Sequence, residues 1–544
     1  MRNGCYDLLL LLGLWAVVAT SIGLGGEFAL NDDWSYATAV QRLLDEGSYR
    51  PTDWTSAPTL THTLWGALFC LPTGFSFTAL RLSTFALGGL GLFATYGLLG
   101  ELGAPRAARL LGTLAVACNP LHVALSCTFM TDVPFLAFAT LALWLYLRSL
   151  RTRSRALAVA GTAVMLAATL NRQLGLFVAV AWLVGLLRRD GLATSTVLRA
   201  ATPLALGALT LTTMQLWLTA NGTLPAEYTV KQRALLQVLA HPGELLHHLV
   251  HGGFVTLTYL GLFLLPLLAW RRAAASCLAR ATGAAVTLAF AAAVLFTGKL
   301  MPFGFNVLSP AGIGPDLLRD VYVLGLDHRS PLPRAFWWLV TALAVWGAGR
   351  LVTFTIDALR GLRGNAANVV PRAALLAGAA AYLAPILAQS FLDRYLLAIV
   401  PLLAGALLLP PPPALPPPPP RLAEALAALT LVVMAMLAVP GTHDWLARAR
   451  ARDAALHWLQ HDQGIAATRI DGGFEFHGLT TYSPAMQVPP SRSWWWVVDD
   501  EYVVTMGPLP GYDVRREFAV DRWLPPRGER VVVLQRSEPS ASPR

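Results

Sequence analysis

Four short polar motifs border the apolar runs of this 544-residue chain. Their members are Asp32 and Asp33, Asp132 within Thr131–Phe135, Arg172 with Gln173, and Asp393 with Arg394 and Tyr395. A positioned carboxylate can remove a proton from a hydroxyl group, and a guanidinium binds phosphate oxygens through a planar fork of N–H groups. Carboxylates and arginines at one level of a membrane predict a site that activates a hydroxyl beside an anionic group.

Each motif also has a structural explanation, and the sequence leaves these alternatives open. The aspartates of the first motif are good N-caps for a following helix, and Asp132 shortly precedes a proline that favours a helix start. Arg172 can extend its side chain to the membrane interface by itself, and the last motif can form a local ion pair. Ionisable groups at membrane depth are costly and usually functional, so we expect a site.

The apolar runs predict a polytopic α-helical membrane protein with about thirteen transmembrane helices of ~20 residues each. Hydrophobic residues make up 55% of the chain and charged residues only 13%, with a mean hydropathy of +0.53. The predicted spans start near Leu8, Ala79, Leu110, Asp132, Ala156, Leu174, Ala200, Phe254, Ala281, Phe336, Ala373, Tyr395 and Leu422. The net charge of +10 comes from residues clustered between these runs, which argues against a nucleic-acid partner.

Arginines are concentrated in alternate loops, and this pattern predicts the orientation. With Arg2 in the cytoplasm, the short arginine-rich loops also fall on the cytoplasmic side, as the positive-inside rule requires. The long outer segments are then residues 25–78, 220–253 and 298–335. All four polar motifs fall at outer ends of spans. We therefore predict an integral protein of a bacterial plasma (inner) membrane, with a cytoplasmic N-terminus and an extracytoplasmic C-terminus.

The composition changes after Pro440. Residues 1–440 are predicted to form the transmembrane domain, and residues 441–544 a small soluble α/β domain outside the membrane. In the second part His443–Gln460 has the pattern of an amphipathic helix, and later segments are rich in β-forming residues. The glycines in Asp471–Phe476 predict a turn between two strands.

The order and shared side of these motifs resemble the GT-C glycosyltransferases. The nearest branch is that of the protein O-mannosyltransferases and aminoarabinose transferases, which is family 39-like. The resemblance rests on the acidic pair after the first span, the Thr-Asp-x-Pro-Phe element at Thr131–Phe135, the outer Arg172 and the run Asp393–Leu397. It covers Leu8 to about Val439 in topology. It implies transfer of a sugar from a polyprenyl-phosphate carrier to an acceptor on the outer face.

In that family the first outer loop supplies an acidic catalytic residue, and Asp32 or Asp33 occupies the matching position here. The resemblance favours Asp32 as the general base, and the change from the family's Asp-Glu to Asp-Asp leaves the role of Asp33 open. Direct displacement with one base would invert the anomeric centre. The candidates for contacts with the donor phosphate and substrate are Asp132, Arg172, Gln173, Asp393, Arg394, Tyr395 and His62. His62 can equally be a packing residue.

Paired carboxylates can bind a divalent cation. No third acidic ligand is obvious near them, and the resembling branch generally works without a metal, so we expect no cofactor. The expected partners are a polyprenyl-phosphate sugar, the lipid bilayer and an extracytoplasmic glycan, lipid or protein acceptor.

The main alternative function is a transporter or flippase of a lipid-linked or amphipathic substrate. Its site would lie near the bilayer midplane, often between internal repeats, and the sequence shows no such repeat. A third possibility is a non-catalytic anchor for the C-terminal domain, which would leave the four polar motifs unexplained.

Overall fold

A computed structural model describes the chain as a bundle of helices with a small sheet formed by C-terminal residues. It describes residues 2–271, 275–303, 306–309, 312–315, 332–363, 368–388, 392–409, 420–486, 495–525 and 527–537. Much of the predicted outer segment 298–335 therefore lies outside the described residues. The helices are α1 (Arg2–Ile22), α2 (Asp33–Glu46), α3 (Leu60–Cys70), α4 (Phe77–Glu101), α5 (Arg106–Ala117), α6 (Pro120–Ser126), α7 (Asp132–Thr152), α8 (Arg155–Asn171), α9 (Leu176–Asp190), α10 (Thr194–Ala220), α11 (Ala226–Ala240), α12 (Pro242–Phe263), α13 (Leu265–Trp270), α14 (Cys277–Thr297), α15 (Arg334–Arg360), α16 (Val369–Leu387), α17 (Val400–Leu408), α18 (Arg421–His457) and α19 (Phe474–Thr480).

Within the described ranges, seven helices are long and apolar enough to cross a membrane. They are α4, α7, α10, α14, α15, α16 and α18. The pair α5 and α6, bent by 58° at its break, adds an eighth if it is one span, and α1 and α8 contain shorter apolar stretches. The chain is therefore a polytopic helical membrane protein. The predicted number of thirteen spans stays a prediction.

The bundle packs tightly where small residues let two helix backbones approach. A Cβ atom added to Gly261 in α12 would lie only 2.4 Å from the backbone nitrogen of Ala348 in α15. Such close approach gives helices the van der Waals contact that holds them together in lipid.

The elements that carry the polar motifs meet at one end of the bundle, called the polar end below. α2 begins at Asp33, α7 begins at Asp132, and α8 ends immediately before Arg172. A 3₁₀ helix begins at Asp393 and leads into α17. The first loop, between α1 and α4, lies at this end together with α11 and the C-terminal region.

The C-terminal region contains a four-stranded sheet with the order β3-β4-β6-β5. Its strands are β3 (Ile470–Asp471), β4 (Tyr502–Thr505), β5 (Tyr512–Ala519) and β6 (Arg530–Arg536), after the short hairpin of β1 (Leu308–Ser309) and β2 (Gly312–Ile313). β3 pairs with β4 in parallel, and the remaining pairs are antiparallel.

Two details differ from the expectations for this region. α18 runs through Pro440 without a break, so the transmembrane and C-terminal parts share one helix. The segment Asp471–Phe476 is not a turn between strands, because Gly473, at φ 88°, leads the chain from β3 into α19. The assignment of residues 1–440 and 441–544 to two domains stays a prediction.

Candidate active site

A cavity of about 230 Å³ lies at the polar end. The first loop, the junction of α8 and α9, α11, the 3₁₀ helix before α17 and the C-terminal region all contribute to its wall. Elements that are far apart in the chain therefore meet around one small volume, which is the usual arrangement of a ligand site.

Asp32 lies in the cavity wall directly before α2. The preceding Asn31 has a φ of 57°, in the left-handed region that asparagine tolerates better than most residues. Trp54 Nε1 donates a hydrogen bond to Asp32 Oδ1 at 2.9 Å, and Arg394 Nη2 donates to Oδ2 at 2.9 Å. Within the described structure the Asp32 side chain makes no capping bond to α2. Its carboxylate is thus held by two side chains of the cavity wall.

Arg172 and Arg394 bring two guanidinium groups to the cavity. Arg172 Nη1 donates to Asp132 Oδ1 at 2.6 Å. The buried Asp132 is not among the described lining residues, so its contribution is to hold the Arg172 side chain. The ring of Tyr395, a further predicted residue, lines the cavity, and its centroid is 5.1 Å and 5.8 Å from the Cζ atoms of Arg172 and Arg394.

Asp33 and His62 lie behind this wall and bond to the backbone. Asp33 Oδ1 accepts from the Leu30 N–H at 2.6 Å, and Oδ2 accepts from the Phe129 N–H at 3.1 Å. Burial raises the pKa of Asp33 to about 7. His62 stacks on the Phe129 ring and donates from Nε2 to the Phe129 carbonyl at 3.0 Å, and burial lowers the pKa of His62 to about 4. Neither residue is among the described lining residues, and both fasten the first loop to the segment before α7.

Asp393 and Gln173 also support the wall without lining the described cavity. The Asp393 carboxylate accepts from the backbone N–H groups of Val307, at 3.2 Å, and Leu308, at 2.7 Å. These bonds fix the start of the 3₁₀ helix that presents the next side chain to the cavity. Gln173 Nε2 donates to the carbonyl of Ser56 in the first loop at 3.3 Å.

Sequence reasoning missed the contribution of α11, which places Glu227 and Lys231 in the cavity wall. The Glu227 N–H donates to the Asp53 carbonyl at 3.0 Å, and Lys231 Nζ donates to Ser56 Oγ at 3.1 Å. α11 is therefore docked on the first loop. The sequence identified residues 220–253 only as a long segment at the same side, which gave no signal for these two side chains.

Sequence reasoning also missed an aromatic wall, which we define as Trp54, Phe474 and Trp495. The Phe474 ring centroid lies 4.7 Å from that of Trp495 and 5.6 Å from that of Trp54. Two of the three residues come from the C-terminal region. The polar motifs gave no indication that this region reaches the site.

The described residues contain no group of three or more His, Cys, Asp or Glu side chains that could hold a metal ion. The two oxygens of Asp32 already accept from Trp54 and Arg394, and those of Asp33 from backbone N–H groups. This donor set does not fit a dedicated divalent-cation site, which needs several converging oxygen ligands. The expectation of a metal-independent site stays a prediction.

No family model and no curated protein matches the chain. Among solved structures, it is similar to ArnT from Cupriavidus metallidurans bound to undecaprenyl phosphate, at 16% identity and a TM-score of 0.39, over 98% of this chain and 99% of that one. It is also similar to the S. cerevisiae protein O-mannosyltransferase Pmt1-Pmt2 complex bound to the sugar donor, at 17% identity and a TM-score of 0.31, over 40% of this chain and 34% of that one.

A third similar structure is the arabinofuranosyltransferase AftD from Mycobacteria, at 12% identity and a TM-score of 0.39. That match covers 98% of this chain and 40% of AftD. The match to the O-mannosyltransferase, described above, covers about a third of that protein's length. Two of the three, the O-mannosyltransferase and the arabinofuranosyltransferase, are glycosyltransferases by name, the class that the sequence resemblance predicted. At these identities and TM-scores the similarities carry no argument about activity. The argument about activity is therefore based on the cavity.

Proposed function

We propose that this protein is a membrane glycosyltransferase that moves a sugar from a polyprenyl-phosphate donor to an acceptor hydroxyl at the outer face. One observation carries the proposal. The carboxylate of Asp32 shares a small cavity with the guanidinium groups of Arg172 and Arg394, at the end of a bundle of membrane-length helices.

The positive side of the cavity suits a phosphate group. Arg172, Arg394 and Lys231 all line it, and charge-assisted hydrogen bonds from such groups to phosphate are short and strong. The volume of about 230 Å³ lies below the roughly 300–1,000 Å³ of pockets that enclose a drug-sized ligand. In this proposal the cavity holds only the headgroup of a lipid-linked sugar, while the polyprenyl chain remains against the apolar helices.

The reaction is a direct displacement at the anomeric carbon. The acceptor hydroxyl oxygen forms the new bond to this carbon, and the bond from the carbon to the phosphate oxygen breaks. Polyprenyl phosphate leaves with the bonding electron pair, and Asp32 receives the hydroxyl proton as general base. Arg394 binds the donor phosphate by loosening its bond to Asp32 Oδ2, which frees that oxygen for the proton. One displacement inverts the anomeric centre.

The geometry favours this function over a transporter. The cavity lies where helices begin and end, whereas transporter sites lie near the bilayer midplane, between repeats. Asp32 and the two guanidinium groups at the polar end are placed for chemistry on a headgroup that the membrane presents there.

The test is transfer from polyprenyl-phosphate sugars by the purified protein in liposomes, with Asp32→Asn and Asp33→Asn compared. Asp32→Asn keeps the size of the side chain but cannot accept the proton, so transfer should fall by about 10²–10⁴. Its amide would also oppose one of the two donors Trp54 and Arg394, so thermal unfolding of this variant is measured as well. Asp33→Asn should instead lower thermal stability, because its amide would oppose one of two buried N–H donors. Asp45→Asn, at an exposed position of α2, is the control and should match the wild type.

The opposite pattern would move the assignment. If Asp32→Asn retained more than about a tenth of wild-type transfer, a far smaller loss than that of a general base, and a stably folded Asp33→Asn were inactive, Asp33 would be the base. If both variants retained transfer, the general base would lie elsewhere and the proposed mechanism would be wrong.

A further inference from the structure

The cavity has two chemically different sides. We call the cationic lining residues Arg172, Lys231 and Arg394, together with the acidic Glu227, the charged side, and the aromatic wall the other side. Asp32 bonds to both, because Arg394 donates to one carboxylate oxygen and Trp54 donates to the other. The proposed base therefore lies between cationic side chains that suit an anion and aromatic rings that suit a face of C–H groups.

The aromatic wall is held rigidly. The Phe474 ring is 2% exposed and Trp495 is 5% exposed, and the Phe474 centroid also lies 6.0 Å from that of Trp34, nearly perpendicular to it. Aromatic pairs at such separations are favourable beyond the area that they bury. Only a small part of each side chain therefore reaches the cavity, and that part is held in a fixed position.

The wall is also tied to the residue before the proposed base. Glu475 Oε1 accepts from the Asn31 N–H at 3.0 Å, and Arg452 Nη1 donates to Glu475 Oε2 at 2.7 Å. Phe474 thus cannot move far from Asp32 without breaking this partly buried ion pair or the backbone bond. The position of the C-terminal region is coupled directly to the geometry of the cavity.

We infer that the aromatic wall is the subsite for the ring of the transferred sugar, so that the C-terminal region is part of the active site. This inference rests on the proposed function. A sugar ring has a face of C–H groups that packs on aromatic rings, and hydroxyl groups at its edge that bond to polar side chains. The donor phosphate is attached to the anomeric carbon. When the phosphate occupies the charged side, the ring must therefore lie next to Asp32 and against the wall.

The test compares two probes: undecaprenyl phosphate, and undecaprenyl phosphate that carries a hexose or a pentose. They differ in the ring and in the phosphate, which is a monoester in the first and a diester in the second, so each variant is compared with the wild type for one probe at a time. Binding to the full-length protein in nanodiscs is measured for the wild type, Phe474→Leu and Trp495→Leu. Affinity for the glycosylated probe should fall by about tenfold, which corresponds to ~1.4 kcal/mol. Affinity for undecaprenyl phosphate should change by less than about twofold, because the charged side is untouched.

Tyr482→Leu is the matched control. Tyr482 packs against Trp34 and Trp496 in the same aromatic cluster, but it is not among the described lining residues. Thermal unfolding of each variant shows whether it is folded, and Phe474→Leu keeps a large apolar side chain at the buried position. The control should bind both probes as the wild type does.

Three outcomes would overturn the inference. Equal losses for both probes would mean that the wall only supports the cavity. Unchanged affinity for the glycosylated probe in folded Phe474→Leu and Trp495→Leu would mean that the ring does not touch the wall. If Tyr482→Leu also lost affinity for the glycosylated probe alone, the loss would not be specific to residues of the aromatic wall. Failure of the proposed function has another signature, since the wild type itself would then transfer no sugar and bind neither probe.

Discussion

Trp54 takes part in two interactions of the candidate site at once. Its indole N–H donates to Asp32 Oδ1 at 2.9 Å, and its ring centroid lies 5.3 Å from that of Trp496 and 5.6 Å from that of Phe474. In the proposed reaction Arg394 turns from Asp32 to the donor phosphate. The Trp54 bond then remains as the contact that keeps the carboxylate in place, which makes Trp54 a positioning residue.

Trp54→Phe should lower kcat and leave the donor KM nearly unchanged. The substitution keeps an aromatic ring in the wall but removes the N–H donor. A hydrogen bond to a charged group contributes about 1.5–3 kcal/mol, so a fall in kcat of roughly 10- to 100-fold is expected. The groups that bind phosphate are not altered. Steady-state kinetics with the donor as varied substrate separates the two constants.

Trp65→Phe is the control for this variant. Trp65 also lies in the first loop, and its Nε1 donates to the Ser83 carbonyl at 2.9 Å, away from the described cavity lining. It should behave as the wild type. A Trp54→Phe protein with a raised donor KM and an unchanged kcat would show that the Trp54 N–H does not position the base.

Asp32, Arg172 and Arg394 were visible in the sequence because they border apolar runs on the side opposite to the arginine-rich loops. The sequence could not show which of the two carboxylates, that of Asp32 or that of Asp33, is buried at the start of α2. The burial of Asp33 against the N–H groups of Leu30 and Phe129 is a tertiary contact. No pattern in one sequence reports it, and the same holds for His62.

At the scale of elements, α11 is the part of the site that the sequence described least. Its sequence is too polar for a transmembrane helix and has no strongly apolar face. Its start is fixed by the first loop, since the Ala226 N–H donates to Asp53 Oδ1 at 3.3 Å and the Glu227 N–H to the Asp53 carbonyl at 3.0 Å. This docking determines that Glu227 and Lys231, one turn apart, face the cavity.

Lys231→Met should weaken binding of undecaprenyl phosphate by about tenfold, because one of three cations beside the phosphate is lost. Arg233→Met is the matched control, since Arg233 is exposed on the same helix and does not belong to the described lining. Binding in nanodiscs at two salt concentrations measures the effect. If the two variants weaken binding equally and high salt abolishes the difference from wild type, the effect is one of general surface charge.

At the scale of the whole molecule, composition and hydropathy were enough to predict a polytopic helical protein. They could not predict that the C-terminal region closes one side of the cavity. The bond from Asn31 to Glu475 joins residues 444 positions apart, and contacts of such separation leave no periodic pattern in the sequence. The continuous α18 was missed for another reason. Pro440 predicts a break, but in a membrane helix the freed backbone group can be satisfied by its neighbours.

The orientation of the molecule is the prediction on which the outer-face acceptor depends. α7 begins at Asp132, beside the cavity, and its 21 residues span ~30 Å before they end at Thr152. Thr152 is therefore at the opposite end of the bundle. Gln463 is exposed in the C-terminal region, which contacts the first loop through Arg450 and Gly23. The arginine pattern predicts that the end with Gln463 faces outward.

Gln463→Cys should react with a membrane-impermeant maleimide in intact cells, and Thr152→Cys should react only after lysis. Both variants are made in a Cys277→Ser background, because Cys277 is an exposed native cysteine. Each site is the control for the other, because both residues are exposed and they lie at opposite ends of the bundle. The reverse labelling would put Asp32 and the aromatic wall on the cytoplasmic side. The acceptor would then have to be cytoplasmic, and the positive-inside argument from which the outer site was predicted would be wrong.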